Sequence, residues 1–173
     1  MTGTPFLDPI YRFIRNQQLI LILLAVICGS AAALGAIVFR EAVALAQSGT
    51  FGASLEKMSE VIGQLPDWQV VLVPTAGGLL VGLLVHFLMP GRRNRGVADV
   101  MEAAALRSGS ITLREGFGAA IVSATSISVG ASVGREGPVV HLGATLSSFV
   151  ARRLRLSRSQ AVTLLGCGVA SAV

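Results

Sequence analysis

The stretch SVGASVGREGPVVHLG, residues 128–143, decides how this sequence is interpreted. It places a charged pair, Arg135 and Glu136, inside apolar sequence that is punctuated by glycine. Pro138 suits the first turn of a helix, because the N–H group that proline lacks would have no intrahelical partner there. The stretch therefore predicts a helix that begins near Pro138, with a carboxylate just before its N-terminus.

This predicted helix terminus has the features of an anion site. A helix N-terminus presents unpaired N–H groups and the positive end of the helix dipole. Gly134 and Gly137 allow the backbone to turn tightly and to approach a ligand closely. Glu136 is then a tethered anion, which either occupies the site or swings away and admits a mobile anion. The alternative is that Glu136 caps the helix and forms a structural pair with Arg135.

The composition indicates an integral membrane protein. The chain has 173 residues, of which 53% are apolar and 13% are charged, and its mean hydropathy is +0.72. Soluble domains carry about 25% charged residues. Uncharged runs cover Leu19–Phe39, Trp68–Val85 and Gly116–Gly134, and about 18 or more apolar residues suffice for a spanning helix. We therefore predict an all-α polytopic membrane protein, located in the cell membrane.

The charge pattern predicts the orientation in the membrane. The net charge of +5 comes from arginines at the ends of the apolar runs, which the positive-inside rule explains better than a nucleic-acid partner does. The 47–67 segment is acidic, whereas the 91–114 and 152–158 segments are basic, and Arg40 beside Glu41 is the exception. This predicts a cytoplasmic N-terminus, with residues 1–17 either an amphipathic segment on the inner surface or a flexible basic tail.

The chain is expected to contain both spanning and short helices. Pro138 to Ala151 measures about 21 Å as a helix and falls short of the roughly 30 Å hydrocarbon core, as does Val97–Ala105. The chain stops inside an apolar helix, so we expect the N-terminal part of a longer protein. The remaining helices are predicted at 18–46, 68–89, 114–130 and from 159 onward.

The run from Gly134 to Pro138, followed by VVHLG, resembles the GREGP motif of the CLC family of chloride channels and proton-coupled chloride antiporters. The resemblance covers most of residues 18–173 and implies part of an inverted-repeat fold. It also implies a homodimer that transports chloride or another small anion. The sequence contains no catalytic constellation, metal-ligand spacing, P-loop or dinucleotide fingerprint, so we expect no cofactor and no enzymatic activity. Glu136 would be the external gating glutamate, and Gly134, Arg135, Gly137 and Pro138 would complete the outer anion site. The rival interpretations are a nonfunctional fragment and a membrane scaffold.

The second motif of that family, GSGIPE, is replaced here by NRGVAD at residues 94–99. Arg95 stands at the position of the family's anion-coordinating serine, Gly96 is retained, and Val97 replaces isoleucine. These three residues mark the possible inner anion site. Arg95 either attracts anions or faces the cytoplasm as one more positive-inside charge, and we favour the second interpretation.

Other polar and reactive residues are assigned structural roles. His141 is expected to be a packing or hydrogen-bonded histidine rather than a proton relay. Asp99 and Glu102 are expected to form a solvated or interfacial cluster with Arg95. Cys28 and Cys167 lie in separate apolar helices without metal-ligand or disulfide context, so we predict packing residues and no metal site.

Overall fold

A computed structural model describes residues 8–52, 63, 66–89, 91–93 and 95–173, with side chains from residue 18 onward. These ranges contain helices but no strand, which confirms the predicted all-α fold. The helices described are α1 (Asp8–Phe51), α2 (Asp67–Leu88), α3 (Val97–Leu106), α4 (Leu113–Ser128), α5 (Glu136–Arg153) and α6 (Arg158–Ala172).

Helix α1 is longer than predicted at both ends. It begins at Asp8, so the expected surface segment continues directly into the apolar helix, while residues 1–7 lie outside the described residues. Pro9 falls in the first turn, where proline is compatible with a helix. The helix ends at Phe51 because Gly52 adopts the left-handed conformation typical of a helix C-terminus, with φ 70°. The hydropathy of the sequence marks the apolar part of α1, not its ends.

Among the described residues, two helices are long and apolar enough to cross a membrane, namely the part of α1 from Gln18 to Phe51, and α2. Many large apolar side chains on both are exposed, among them Val38 and Leu79. The third predicted span is only 16 residues long as α4, about 24 Å, because the chain turns at Gly130 with φ 93°. The acidic side chains of the 47–67 segment at positions 56 and 60 lie outside the described residues.

Both predicted short helices occur, but α5 has 18 residues rather than the 14 from Pro138 to Ala151, which makes it about 27 Å long. Helix α3 runs one residue further than expected. Helix α5 begins at Glu136, two residues before the predicted start at Pro138, so that Glu136 is the first helical residue and Arg135 the N-cap. The proline is tolerated at the third position because the first four N–H groups of a helix have no intrahelical partner.

Side-chain caps fix the starts of α4 and α6. The Thr112 hydroxyl accepts the N–H of Glu115 at 3.3 Å, and the Glu115 carboxylate accepts the N–H of Thr112 at 3.1 Å. Ser157 and Gln160 form the same reciprocal pair at the start of α6. Each pair satisfies two N–H groups that would otherwise lack partners.

Helix α5 lies at the centre of the helix packing and contacts α1, α3, α4 and α6. Its residues Val140 and Ala144 pack against α3, Leu142 packs against α1, and Ala151 packs against Cys28 and α6. Cys28 is a buried packing residue, as predicted. The central position of α5 fixes the direction in which its N-terminus, and therefore Glu136, points.

Candidate anion site at the N-terminus of helix α5

The N-terminus of α5 is open to its surroundings. Gly134, Arg135 and Glu136 are exposed, and Gly137 is half-buried. A Cβ atom placed at Gly134 or Gly137 would meet no neighbouring atom within 4 Å. Pro138 is buried and anchors the first turn in the core. The first N–H groups of α5 are therefore accessible to a ligand.

The side chains of Arg135 and Glu136 do not form a pair with each other. Within the described residues, no ion pair joins them, and Glu136 accepts no hydrogen bond from a helix N–H group. Arg135 occupies the N-cap position with φ −80° and ψ −21°, and its side chain does not cap the helix. The Glu136 carboxylate is consequently held neither by Arg135 nor by the N–H groups of the helix terminus.

A cleft of about 450 Å³ lies beside Glu136. Its charged lining consists of Glu136 and two arginines, Arg135 and Arg40 of α1. Sequence reasoning did not assign Arg40 to the site, since it lies far from Glu136 along the chain and appeared only as an exception to the charge pattern. The other lining residues are Ala36, Ile37, Phe39, Val139, Ala172 and Val173.

Apolar packing holds α1 against α5 at this cleft. Phe39, the neighbour of Arg40, is buried together with Val43 in a cluster that includes Leu142 of α5. Val139, which lies one turn after Glu136 (about 3.6 residues), packs against the same cluster. This contact brings Arg40 to the N-terminus of α5.

Hydrogen bonds from the end of α1 fix the segment that leads to Glu136. The buried amide of Gln47 donates to the Ile127 carbonyl oxygen at 3.2 Å, and the Thr50 hydroxyl donates to the Ser128 carbonyl oxygen at 2.9 Å. Both acceptors lie in the last turn of α4. The segment between α4 and α5 therefore starts from a defined position beside α1.

The possible inner site is arranged around the start of α3. Gly96 is the N-cap, and its N–H donates to the Asp99 carboxylate at 3.0 Å. Val97 is the first helical residue and is exposed. Asn94, the first residue of the predicted motif, lies outside the described residues. A carboxylate of the chain itself thus occupies part of this helix N-terminus.

Arg95 does not face solvent, so the favoured interpretation of this residue is wrong. Its guanidinium lies 2.9 Å from the Glu115 carboxylate and 3.8 Å from that of Asp99, and its side chain is 11% exposed. Sequence reasoning did not single out Glu115. The Thr112-to-Glu115 capping spacing is the sequence signal that places Glu115 in the first turn of α4, but it does not indicate the contact with Arg95.

The predicted cluster of Asp99 and Glu102 is two separate ion pairs. Asp99 binds Arg93 at 2.8 Å in addition to Arg95, whereas Glu102 binds Arg107. The hydrogen bond from Arg107 to Glu102 raises the pKa of Arg107, which lies in the connection after α3.

His141 is buried, and the Thr145 hydroxyl, 3.5 Å from His141 Nδ1, donates to the His141 carbonyl oxygen at 2.7 Å.

We expect Arg95→Met to destabilise the protein by about 3 kcal/mol. The substitution leaves Asp99 and Glu115, whose side chains are 9% and 12% exposed, as neighbouring carboxylates without the cation between them. Removing one partner of a buried ion pair typically costs about 3–5 kcal/mol. Thermal unfolding in detergent, followed by circular dichroism, measures this effect.

Arg93→Met is the matched control for Arg95→Met. Arg93 contacts the same Asp99 carboxylate, but its side chain is 60% exposed. Exposed ion pairs contribute about 0–1 kcal/mol, so a small loss is expected. Equal losses in the two variants would show that burial between the carboxylates does not govern the role of Arg95.

Comparison with known proteins identifies the family of this chain. Residues 77–173 match the voltage gated chloride channel family. The chain is 36% identical over 154 residues to a ClcB-like chloride channel protein of Ralstonia nicotianae, covering 87% of this chain and 36% of that protein. It is 31% identical over 91 residues to the voltage-gated ClC-type chloride channel ClcB of Yersinia pseudotuberculosis, and this match covers 51% of the present chain and 22% of the Yersinia protein.

The chain thus spans about a third or less of the length of these relatives. No solved structure matches it. The family match contains α3 to α6, including the GREGP stretch and the N-termini of α5 and α3, whereas Arg40 of the outer cleft lies outside it. The chain belongs to the voltage-gated chloride channel family, also known as the CLC family.

Proposed function

We propose that this protein transports chloride, or another small anion, across a membrane, with Glu136 as the outer gate. The observation that carries the proposal is the position of Glu136. An exposed carboxylate stands at the first residue of a helix, in a cleft that it shares with two arginines. A helix N-terminus attracts anions through its N–H groups and its dipole.

In the proposed mechanism, the carboxylate and the transported anion compete for the same N–H groups. When Glu136 is ionised and turned toward the terminus, its negative charge occupies the site. When it turns outward or takes up a proton, the terminus is available to a mobile anion. Arg40 and Arg135 keep the cleft attractive to anions whether or not Glu136 is protonated, because arginine remains charged.

Several finer features belong to the same proposal. The relatives are named chloride channels, and we propose chloride as the principal anion on that basis. We further propose a homodimer in the cell membrane, with several spans and a cytoplasmic N-terminus. The positive-inside distribution of the arginines supports the orientation. Because the chain spans about a third of its relatives, the activity is proposed for the protein as it occurs in the cell.

The scaffold alternative has less support. It requires Arg135 and Glu136 to be joined as a structural pair, and within the described residues no such contact occurs. The open space at Gly134 and Gly137 also favours a terminus that receives a ligand.

The decisive experiment is transport by the purified protein in liposomes loaded with chloride. We expect chloride efflux above that of protein-free liposomes, recorded by a chloride electrode while a second electrode records external pH. Proton movement opposite to chloride movement identifies an antiporter, and its absence identifies a channel. Replacing internal chloride by gluconate serves as the control for anion selectivity. Chloride efflux equal to that of protein-free liposomes would contradict the proposed function.

A further inference from the structure

A second cleft, of about 410 Å³, lies where the connection between α3 and α4 meets the turn between α5 and α6. We call it the arginine cleft. Its polar lining consists of four arginines and several hydroxyl groups, among them Arg107, Arg152, Arg155, Arg158, Ser108 and Ser110. It contains none of the residues assigned to chloride transport above.

Long-range hydrogen bonds give the arginine cleft a defined shape. Arg158 donates to the Ala105 carbonyl oxygen at 2.8 Å. The Ile111 N–H donates to the Ser148 hydroxyl at 2.8 Å, which ties the connection after α3 to α5 in the core. The two connections are therefore held together by buried and backbone contacts, and their arginines are brought close to one another by the fold.

The positive charge of the arginine cleft is largely unbalanced. Arg107 binds the Glu102 carboxylate. Within the part of the chain that the structure describes, Arg152, Arg155 and Arg158 form no ion pair with a carboxylate, and no carboxylate lines the cleft. Concentrated like charges repel one another, so a bound anion would lower the energy of this arrangement.

The backbone of Arg155 adopts an unusual conformation at the rim of the arginine cleft. Arg155 follows the end of α5 in the left-handed conformation, with φ 51°, and the N–H of Leu156 donates to the Ala151 carbonyl oxygen at 3.0 Å. Glycine is the usual residue at this position, because a side chain there strains the backbone. Ser108, which also lines the cleft, has φ 53°, and strained residues cluster at ligand sites, although Arg92 outside the cleft adopts the same conformation.

We propose that the arginine cleft binds the phosphate group of an anionic ligand. Arginine presents its donors in a planar fork that matches phosphate oxygens, and the Ser108 and Ser110 hydroxyls add further donors. The chain belongs to a membrane-protein family, and basic pockets between membrane helices bind anionic lipid headgroups. The phosphate is carried either by an anionic phospholipid or by a soluble phosphate compound.

The positive-inside rule alone does not explain this arrangement. That rule requires arginines on one side of the membrane but not a shaped cleft. Arg153 provides the comparison, since it is exposed in the last turn of α5 beside Arg152 but does not line the cleft. If only the overall positive charge of this surface determines ligand binding, Arg153 and Arg152 contribute equally to it.

The test compares lipid binding by the purified protein and two variants in detergent, using native mass spectrometry. Dioleoylphosphatidylglycerol is the anionic probe, and dioleoylphosphatidylcholine is the zwitterionic control. The double variant Arg152→Gln, Arg155→Gly removes two guanidinium groups, and glycine also relieves the strain at position 155, so folding is retained. Arg153→Gln is the matched control. Circular dichroism confirms that each variant is folded.

We expect the wild-type protein to prefer phosphatidylglycerol. The double variant is expected to lose about thirtyfold in affinity for it, as two arginines near a lipid surface contribute about 1 kcal/mol each. Arg153→Gln is expected to change the affinity less than about twofold, since Arg153 lies outside the cleft.

Inorganic phosphate in place of lipid distinguishes the two sources of the ligand. Binding of phosphatidylglycerol that depends on Arg152 and Arg155 supports a lipid headgroup. Binding of inorganic phosphate with the same dependence, and no preference among lipids, supports a soluble phosphate compound. Absence of both would overturn the proposal, as would an equal loss of affinity in Arg153→Gln and in the double variant. None of these outcomes depends on chloride transport.

Discussion

Glu136→Gln is expected to reduce proton movement coupled to chloride transport to the level of protein-free liposomes, while chloride flux itself persists. In a channel, the corresponding result is conduction that no longer depends on external pH. Glutamine keeps the size and hydrogen-bonding atoms of the side chain but neither ionises nor carries a proton. The N-terminus of α5 then faces a neutral side chain, which competes weakly with chloride for the helix N–H groups.

Glu136→Ala extends this test to the tethered anion itself. Alanine leaves the first turn of α5 helical but removes every atom that is able to occupy the anion site. We expect chloride flux that persists and is insensitive to pH, as for glutamine. Simultaneous chloride and proton electrodes on the same liposomes measure both quantities.

Glu41→Gln is the matched control for the Glu136 variants. Glu41 is an exposed carboxylate beside Arg40 on α1, and it does not line the cleft. We expect wild-type flux and wild-type proton dependence from this variant. Unchanged proton dependence in Glu136→Gln, or the same loss in Glu41→Gln, would contradict the gating role of Glu136.

The helix terminus of the candidate outer site could be predicted from the sequence because its essential parts are local. Two glycines, a carboxylate and a proline within five residues specify a helix terminus, whatever the rest of the chain does. The exact start of α5 was misplaced by two residues, since proline is allowed anywhere in the first turn. The contribution of Arg40 to the cleft could not be predicted, because the position of Arg40 depends on the packing of Phe39 against α5, and these residues are far apart in the sequence.

In the inner region, by contrast, the environment of Arg95 could not be predicted from the sequence. Arg95 follows a basic run, so its sequence context favours exposure at a membrane surface. Its environment in the structure is set by Glu115, a residue in a different helix, and by Asp99, which caps α3. A pairing between two helix starts depends on tertiary structure, and neither composition nor local spacing indicates it.

The second large expected effect concerns protein stability at the crossing of α5 and α6, where Gly143 and Gly168 approach each other closely. A Cβ atom at Gly168 of α6 would overlap the Ser147 hydroxyl oxygen and lie 2.7 Å from the Gly143 carbonyl oxygen. We expect Gly168→Ala to destabilise the protein by about 1–3 kcal/mol, the typical cost of overpacking a closely packed site. Thermal unfolding in detergent, followed by circular dichroism, measures the loss.

Gly166→Ala separates this contact from the intrinsic effect of alanine in a helix. Gly166 lies in the same helix, but a Cβ atom there would meet nothing within 4 Å. Alanine is favoured over glycine in a helix by about 1 kcal/mol, so Gly166→Ala is expected to stabilise the protein by up to that amount. The two variants are thus expected to change stability in opposite directions. A neutral Gly168→Ala would show that α5 and α6 approach less closely than the structure indicates.

The same substitution connects stability with transport. Gly143 and Ser147 belong to α5, the helix whose first residue is Glu136. An added methyl group at position 168 pushes α5 away from α6, and the helix moves largely as a rigid unit because its interior is closely packed. We therefore expect the Gly168→Ala protein that remains folded to transport chloride more slowly, although residue 168 does not line the outer cleft. Wild-type flux from folded Gly168→Ala would show that the position of the α5 N-terminus does not depend on this crossing.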